Sequence, residues 1–132
     1  MATFTAETAE QYLASITGID GNVFCVWGEY DVTTSMTSGD VIKLAKVPGG
    51  CTVLPWYFAD GGSGGAYDIG TTSSATLQAN NQSSSGWVAD GVGSEVGSEG
   101  EDVDICLTVA TAPTSAATVK LFVFYTLTNI KD

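Results

Sequence analysis

The groups in this chain able to do chemistry are carboxylates and thiols, and their spacing decides how far that chemistry goes. Glu95, Glu99, Glu101, Asp102 and Asp104 crowd together beside glycines. Carboxylates in such a setting can ligate calcium, which takes about six to eight oxygens. The D-x-D-x-D-G order of a calcium loop is missing, so a solvated run of charge is the expectation. Cys25, Cys51 and Cys106 form no C-x-x-C pair, and the chain contains no His. Zinc therefore lacks a ligand set, and Ser or Cys nucleophiles lack a histidine base. Each Cys lies in an apolar run, where it behaves as a small hydrophobe, so three buried, reduced thiols are predicted.

Phosphate cradles are missing too. There is no G-x-x-x-x-G-K-S/T, and no G-x-G-x-x-G follows a strand and opens a helix. Gly62-Ser63-Gly64-Gly65 is far from any basic residue and reads as a flexible turn. A carboxylate pair for glycoside hydrolysis stays formally open. Trp27, Trp56 and Trp87 with Asp60 or Asp68 would make a sugar platform on a sandwich face. Strand aromatics more often belong to the core, because they dominate core burial. The sequence thus predicts no catalytic residue, no cofactor and no metal.

The elements that must position these residues read as strands. Of the 132 residues, 44% are hydrophobic and only 14% charged, which argues against a disordered chain. Short β-branched and aromatic runs alternate with Gly, Ser, Thr and Asn, the pattern of an all-β chain. The fold class expected is an antiparallel β-sandwich, jelly-roll-like, with a short N-terminal helical or extended arm. Fifteen acidic residues stand against four lysines, with no Arg, for a net charge of −11. Phosphate backbones and anionic membranes are gripped by Lys and Arg, so no nucleic acid and no membrane is expected as partner. The charge would keep the protein soluble and steer it toward a basic surface; a plain solvated acidic face is the simpler explanation. Neither a signal peptide nor a stretch of membrane-spanning length is read in the sequence.

Residues 1–21 are expected to form the arm and 22–132 the sandwich. Within 3–16, Ala9, Tyr12, Leu13 and Ile16 make a helical stripe that needs a surface to lie on. That surface is either the chain's own domain or a neighbouring subunit, with Gly18 and Gly21 as a hinge. The run Val23 to Tyr30 is apolar on both faces and reads as a strand buried between two layers. Val41–Val47 and Cys51–Asp60, joined by Pro48-Gly49-Gly50, read as a β-hairpin. In its first strand Ile42 and Leu44 share one face, and Val41, Lys43, Ala45 and Val47 the other. In its second, Trp56 and Tyr57 point to opposite faces, and Pro55 favours an edge or a bulge. Residues 61–103 read as a long Gly/Ser-rich acidic loop with apolar islands at Ala66–Ile69 and Trp87-Val88. Ile105, Leu107 and Val109 are expected inward on the next strand. The last strand, Thr118 to Leu127, carries Val119, Leu121, Val123, Tyr125 and Leu127 on one face and Phe122 and Phe124 on the other.

The stretch G-D-V-I-K-L-A-K-V-P-G-G-C-T-V-L, followed by an aromatic run and D-I-G, covers Gly39 to Gly70. It resembles the small decoration (cement) proteins of tailed-bacteriophage heads, and Asp104 to Thr126 echoes it. The resemblance implies a non-enzymatic virion structural protein, made in the host cytoplasm and placed on the capsid exterior, which it stabilises. It implies two partners, the major capsid protein and the chain itself, as a homotrimer, and an outer loop at 61–103 facing away from the shell. Candidate subunit or capsid interface residues are Tyr12, Leu13 and Ile16 of the arm, and Tyr57, Phe122 and Phe124 of the sandwich. The alternative is a carbohydrate-binding β-sandwich module or fibre-tip domain using exposed Trp and Tyr.

Overall fold

The computed structural model describes residues 2–6 and 23–127. Among these run β1 (Thr3–Thr5), β2 (Val23–Val32), β3 (Val41–Pro48), β4 (Cys51–Val53), β5 (Trp56–Asp60) and β6 (Ala66–Thr71). They continue with β7 (Ala79–Gln82), β8 (Gly86–Val88), β9 (Glu95–Val96), β10 (Asp102–Thr111) and β11 (Ala117–Thr126). One sheet, A, has the order β1-β3-β10-β6-β7. In the other, B, β11 pairs with β2 on one side and with β5 and β4 on the other, and β8 and β9 complete the far edge.

Strands β4 and β5 are one strand interrupted at Leu54-Pro55. Tyr125 faces Val53 and Phe122 faces Tyr57, so the register slips by one residue across the break. Pro55, which has no N–H to give a ladder, therefore sits in a bulge rather than at a sheet edge. Counting β4/β5 and β8/β9 as single ranks, sheet B runs first, eighth, third, sixth in chain order, and sheet A second, seventh, fourth, fifth. That is the two-sheet jelly roll, with β1 added parallel to the outer edge of β3.

The two sheets close over Ile42, Leu44, Ile69, Ile105 and Leu107 from A and Trp56, Phe58, Leu121, Val123 and Tyr125 from B, all buried. Each such side chain contributes roughly 1.5–3 kcal/mol over its exposed state. Strand β11 alternates as expected, Val119, Leu121, Val123 and Tyr125 inward.

Several expectations give way to the structure. Pro48-Gly49-Gly50 is a corner between sheets, not a hairpin turn: β3 pairs with β1 and β10, while β4 pairs with β11 and β9. The turn residues do reverse the chain, but the Gly49 and Gly50 N–H groups donate to Glu101 O and Val96 O, each at 2.6 Å. Gly50 has φ +85°, which glycine adopts without a Cβ penalty. Opposite β10, Ala45 pairs with Ile105 and Lys43 with Cys106, leaving Leu44 as the extra residue of a β-bulge. The bulge turns Ala45 and Val47 to the core side, where both are buried with Ile42 and Leu44. Strand β2 is not sandwiched between two layers; among the described residues it pairs with β11 alone.

Thr3–Thr5 is a strand rather than the start of a helix. The Ala6 N–H donates to Lys43 O at 2.8 Å, and the Asp40 carboxylate accepts the N–H groups of Ala2 and Thr37, each at 3.0 Å. Those two bonds, Thr37's first, hold the Asp40 carboxyl below the usual aspartate range. The stripe Ala9, Tyr12, Leu13 and Ile16 lies outside the described residues, as does the hinge at Gly18 and Gly21.

Residues 61–103, read as a loop, hold β6, β7, β8 and β9. The Gly62–Gly65 turn is fastened rather than loose. The Asp60 carboxylate accepts the N–H groups of Gly62 (3.0 Å) and Ser63 (2.8 Å) and the Ser63 hydroxyl (2.8 Å). The buried Ser63 hydroxyl also meets the Tyr67 hydroxyl at 2.8 Å. Gln78 is the other fastening. Its buried side chain donates from Nε2 to Leu54 O at 2.8 Å, inside the β4/β5 break, and accepts the Gly91 N–H at 2.8 Å.

Two substitutions test this architecture. Gln78→Leu orphans the Leu54 carbonyl and the Gly91 amide and is expected to cost about 1–3 kcal/mol by urea denaturation. A loss within experimental error would show that water replaces the amide. Val123→Asp places an unpaired charge between the sheets and is expected to cost about 3–5 kcal/mol; a folded variant with unchanged melting temperature would overturn the inward assignment of that face.

Candidate functional site

The outer face of sheet B is the feature the fold leaves unexplained. In antiparallel sheets directly opposed residues project to the same side. Across the four ranks of sheet B the register sets Trp27 beside Phe122, Phe122 beside Tyr57, and Tyr57 beside Trp87. One aromatic row thus crosses the whole sheet at right angles to its strands. With strands about 4.8 Å apart it is roughly 14 Å from end to end.

The rings touch along the row and beside it. Trp27 stacks on Phe122 with centroids 6.2 Å apart, and Tyr57 meets Trp87 edge-on at 5.2 Å. Trp87 also leans on Phe124 at 5.9 Å, which brings the adjacent position of β11 into the patch. Phe124 lies opposite Cys25, and Val23 begins the same face of β2. Val23 is 60% exposed, Trp27 46% and Trp87 63%, while Tyr57, Phe122 and Phe124 are half-buried by one another. A contiguous apolar surface of this kind marks an interaction site more often than chance exposure does.

Charge lies on the borders of this face. On the side toward Ala117, Glu29 is opposite Lys120, whose Nζ is 3.8 Å from its carboxylate, and the Thr118 hydroxyl donates to Asp31 at 2.7 Å. On the other side the face passes through Thr126 and Thr52 to Glu95. Of the residues predicted for an interface, Tyr57, Phe122 and Phe124 come together here; Tyr12, Leu13 and Ile16 lie outside the described residues.

Trp27 and Trp87 belong to the site rather than to the core, where strand aromatics are expected. The signal for Trp27 was present: its face of β2 continues into Glu29 and Asp31, so that face is wet. Cys25 shares it and is exposed, a correction to the three buried thiols; Cys51 and Cys106 are buried. Burial pushes the Cys51 thiol up to about 12 and the Cys106 thiol up to about 11.

The other candidates do not assemble. Trp56 points into the core, its Nε1–H donating to Phe124 O at 3.2 Å, so three tryptophans share no platform. Asp60 is engaged by the Gly62–Ser63 turn, and Asp68, on sheet A, accepts the Asn81 N–H at 2.9 Å. Among the described residues no three acidic or Cys side chains gather as a metal would require. A cleft of about 380 Å³ on sheet A is lined by Val41, Lys43, Thr71, Ala75, Cys106 and Thr108. Among the described residues that line it the one cation is Lys43, 3.3 Å from Asp104.

No family model matches the chain, and no curated protein does. Two solved structures are similar to it. One is a chain of the capsid of Ralstonia phage GP4, with a TM-score of 0.76 and 12% identity over 95% of this chain and 97% of that one. The other is a chain of the cyanophage Pam1 capsid asymmetric unit, with a TM-score of 0.66 and 21% identity over 89% of this chain and 93% of that one. At these identities the likeness is one of fold, and it runs through nearly the whole of each chain rather than through a shared module.

Proposed function

We propose that this chain is a non-enzymatic virion structural protein that binds the outside of a phage capsid as a homotrimer and stabilises it. The aromatic row on sheet B carries the reading. A sandwich that has closed its core still presents Trp27, Phe122, Tyr57 and Trp87 side by side, a surface suited to another protein. The whole-chain likeness to two capsid chains supports the setting.

Stabilisation follows from mass action. A protein that binds the assembled shell and not its loose subunits shifts the assembly equilibrium by RT ln(1 + [L]/Kd), about 2.7 kcal/mol per site at a hundredfold excess over Kd. The carbohydrate-binding alternative is weaker, because Trp56 faces inward and Asp60 and Asp68 are occupied.

The test is to add the purified protein to capsids prepared without it. It is expected to co-sediment with shells, raise their thermal disruption temperature and run as a trimer in sedimentation velocity. Failure to co-sediment, with binding to a glycan array lost in Trp87→Ala, would replace this reading by the carbohydrate one.

A further inference from the structure

Resting on that reading, we propose that the outer face of sheet B is the surface seated on the shell, and that its partner there is an apolar prominence ringed by Lys or Arg. The site combines an apolar centre with a border rich in carboxylate. Trp27, Phe122, Tyr57 and Trp87 form the centre, and Glu29, Asp31 and Glu95 lie on the two sides. Among the described residues the one cation in that border, Lys120, already faces Glu29 at 3.8 Å.

Charge complementarity selects the occupant. A second copy that brought this same face onto it would set one acidic border against another. Like-charge juxtaposition opposes such a contact, whereas a basic surround attracts the face from a distance and orients it before the rings dock. The rings then set how long the complex lasts, since dissociation rather than association carries most differences in affinity.

Cys25 reports on this face without any substitution. It is exposed, opposite Phe124 and two positions from Trp27, while Cys51 and Cys106 are buried and serve as internal references. Thiolate is the reactive form; burial raises the Cys25 thiol as well, but Cys51 and Cys106, raised to about 12 and about 11, are also enclosed by the fold, so these two references are expected to alkylate only after denaturation.

The experiment is a pulse of iodoacetamide on the intact protein, free and on capsids, read by mass spectrometry at each Cys, across a salt series. Labelling at Cys25 is expected to fall about tenfold or more on the shell, with occupancy declining as salt rises. Phe122→Asp is expected to remain folded and lose occupancy. Asp31→Asn, which keeps the acceptor for Thr118 and deletes one charge, is expected to bind more slowly and with a shallower salt dependence. Full occupancy with Cys25 as reactive as in free protein would overturn the face while leaving capsid decoration standing. Occupancy indifferent to salt and to Asp31→Asn would overturn the basic partner. Cys25 protected in the free protein and released by Phe122→Asp, with a drop in mass, would assign the face to copy–copy contact and overturn the proposal. Absence from shells under all conditions would instead remove the reading on which it rests.

Discussion

The antiparallel pairing of β11 with β2 on one side and with β5 and β4 on the other decides which residues of sheet B share a face. Because side chains alternate along β11, one set of its residues closes the core and the other cannot avoid the outside. Val119, Leu121, Val123 and Tyr125 take the first position, and Phe122 and Phe124 the second. Once that strand is central, its neighbours have no freedom: Trp27 and Tyr57 must flank Phe122, and Trp87 must follow Tyr57. A one-residue slip of β11 would bury the phenylalanines and expose the valines, so the core itself specifies the aromatic row.

Much of this was legible in residue order. The spacing of β-branched runs gives the all-β class, and the alternation along β11 gives its two faces. The departures have a common physical origin: they concern long-range partners, which local pattern does not encode. Pro48-Gly49-Gly50 has the chemistry of a turn, yet whether a turn joins two paired strands or two sheets depends on β10 and β11, far along the chain. The bulge at Leu44 shows in no propensity, because Ala45 and Val47 suit either face. Cys25 and Trp27 were harder than they needed to be, since Glu29 and Asp31 two and four positions beyond Trp27 already marked that face as wet.

The polar residues of the 61–103 stretch show how a Gly/Ser-rich sequence is made rigid. Asp60 and Ser63 fix one corner, and Gln78 fixes another by satisfying a carbonyl and an amide from separate segments. Beyond the few large apolar side chains it sends into the core, Tyr67, Ile69 and Val88 among them, this part of the chain relies on directional bonds, each needing its partner in place. Composition alone made it read as a loop, because such bonds depend on distance in space rather than on residue type.

The pairing of β2 with β11 also sets the order of events as the chain is made. Even their nearest partners, Val32 and Ala117, bracket most of the molecule, so β2 leaves the ribosome long before its ladder exists. At about 5–20 residues per second that wait is on the order of ten seconds. Contacts this distant in sequence close slowly, and an unpaired apolar strand is the species that aggregates meanwhile. Strand β2 carries no proline or lysine to blunt such encounters, only Glu29 and Asp31 near its end. The excess of acidic residues then acts on nascent chains, keeping neighbouring copies apart by repulsion until the last strand arrives to complete the sheet.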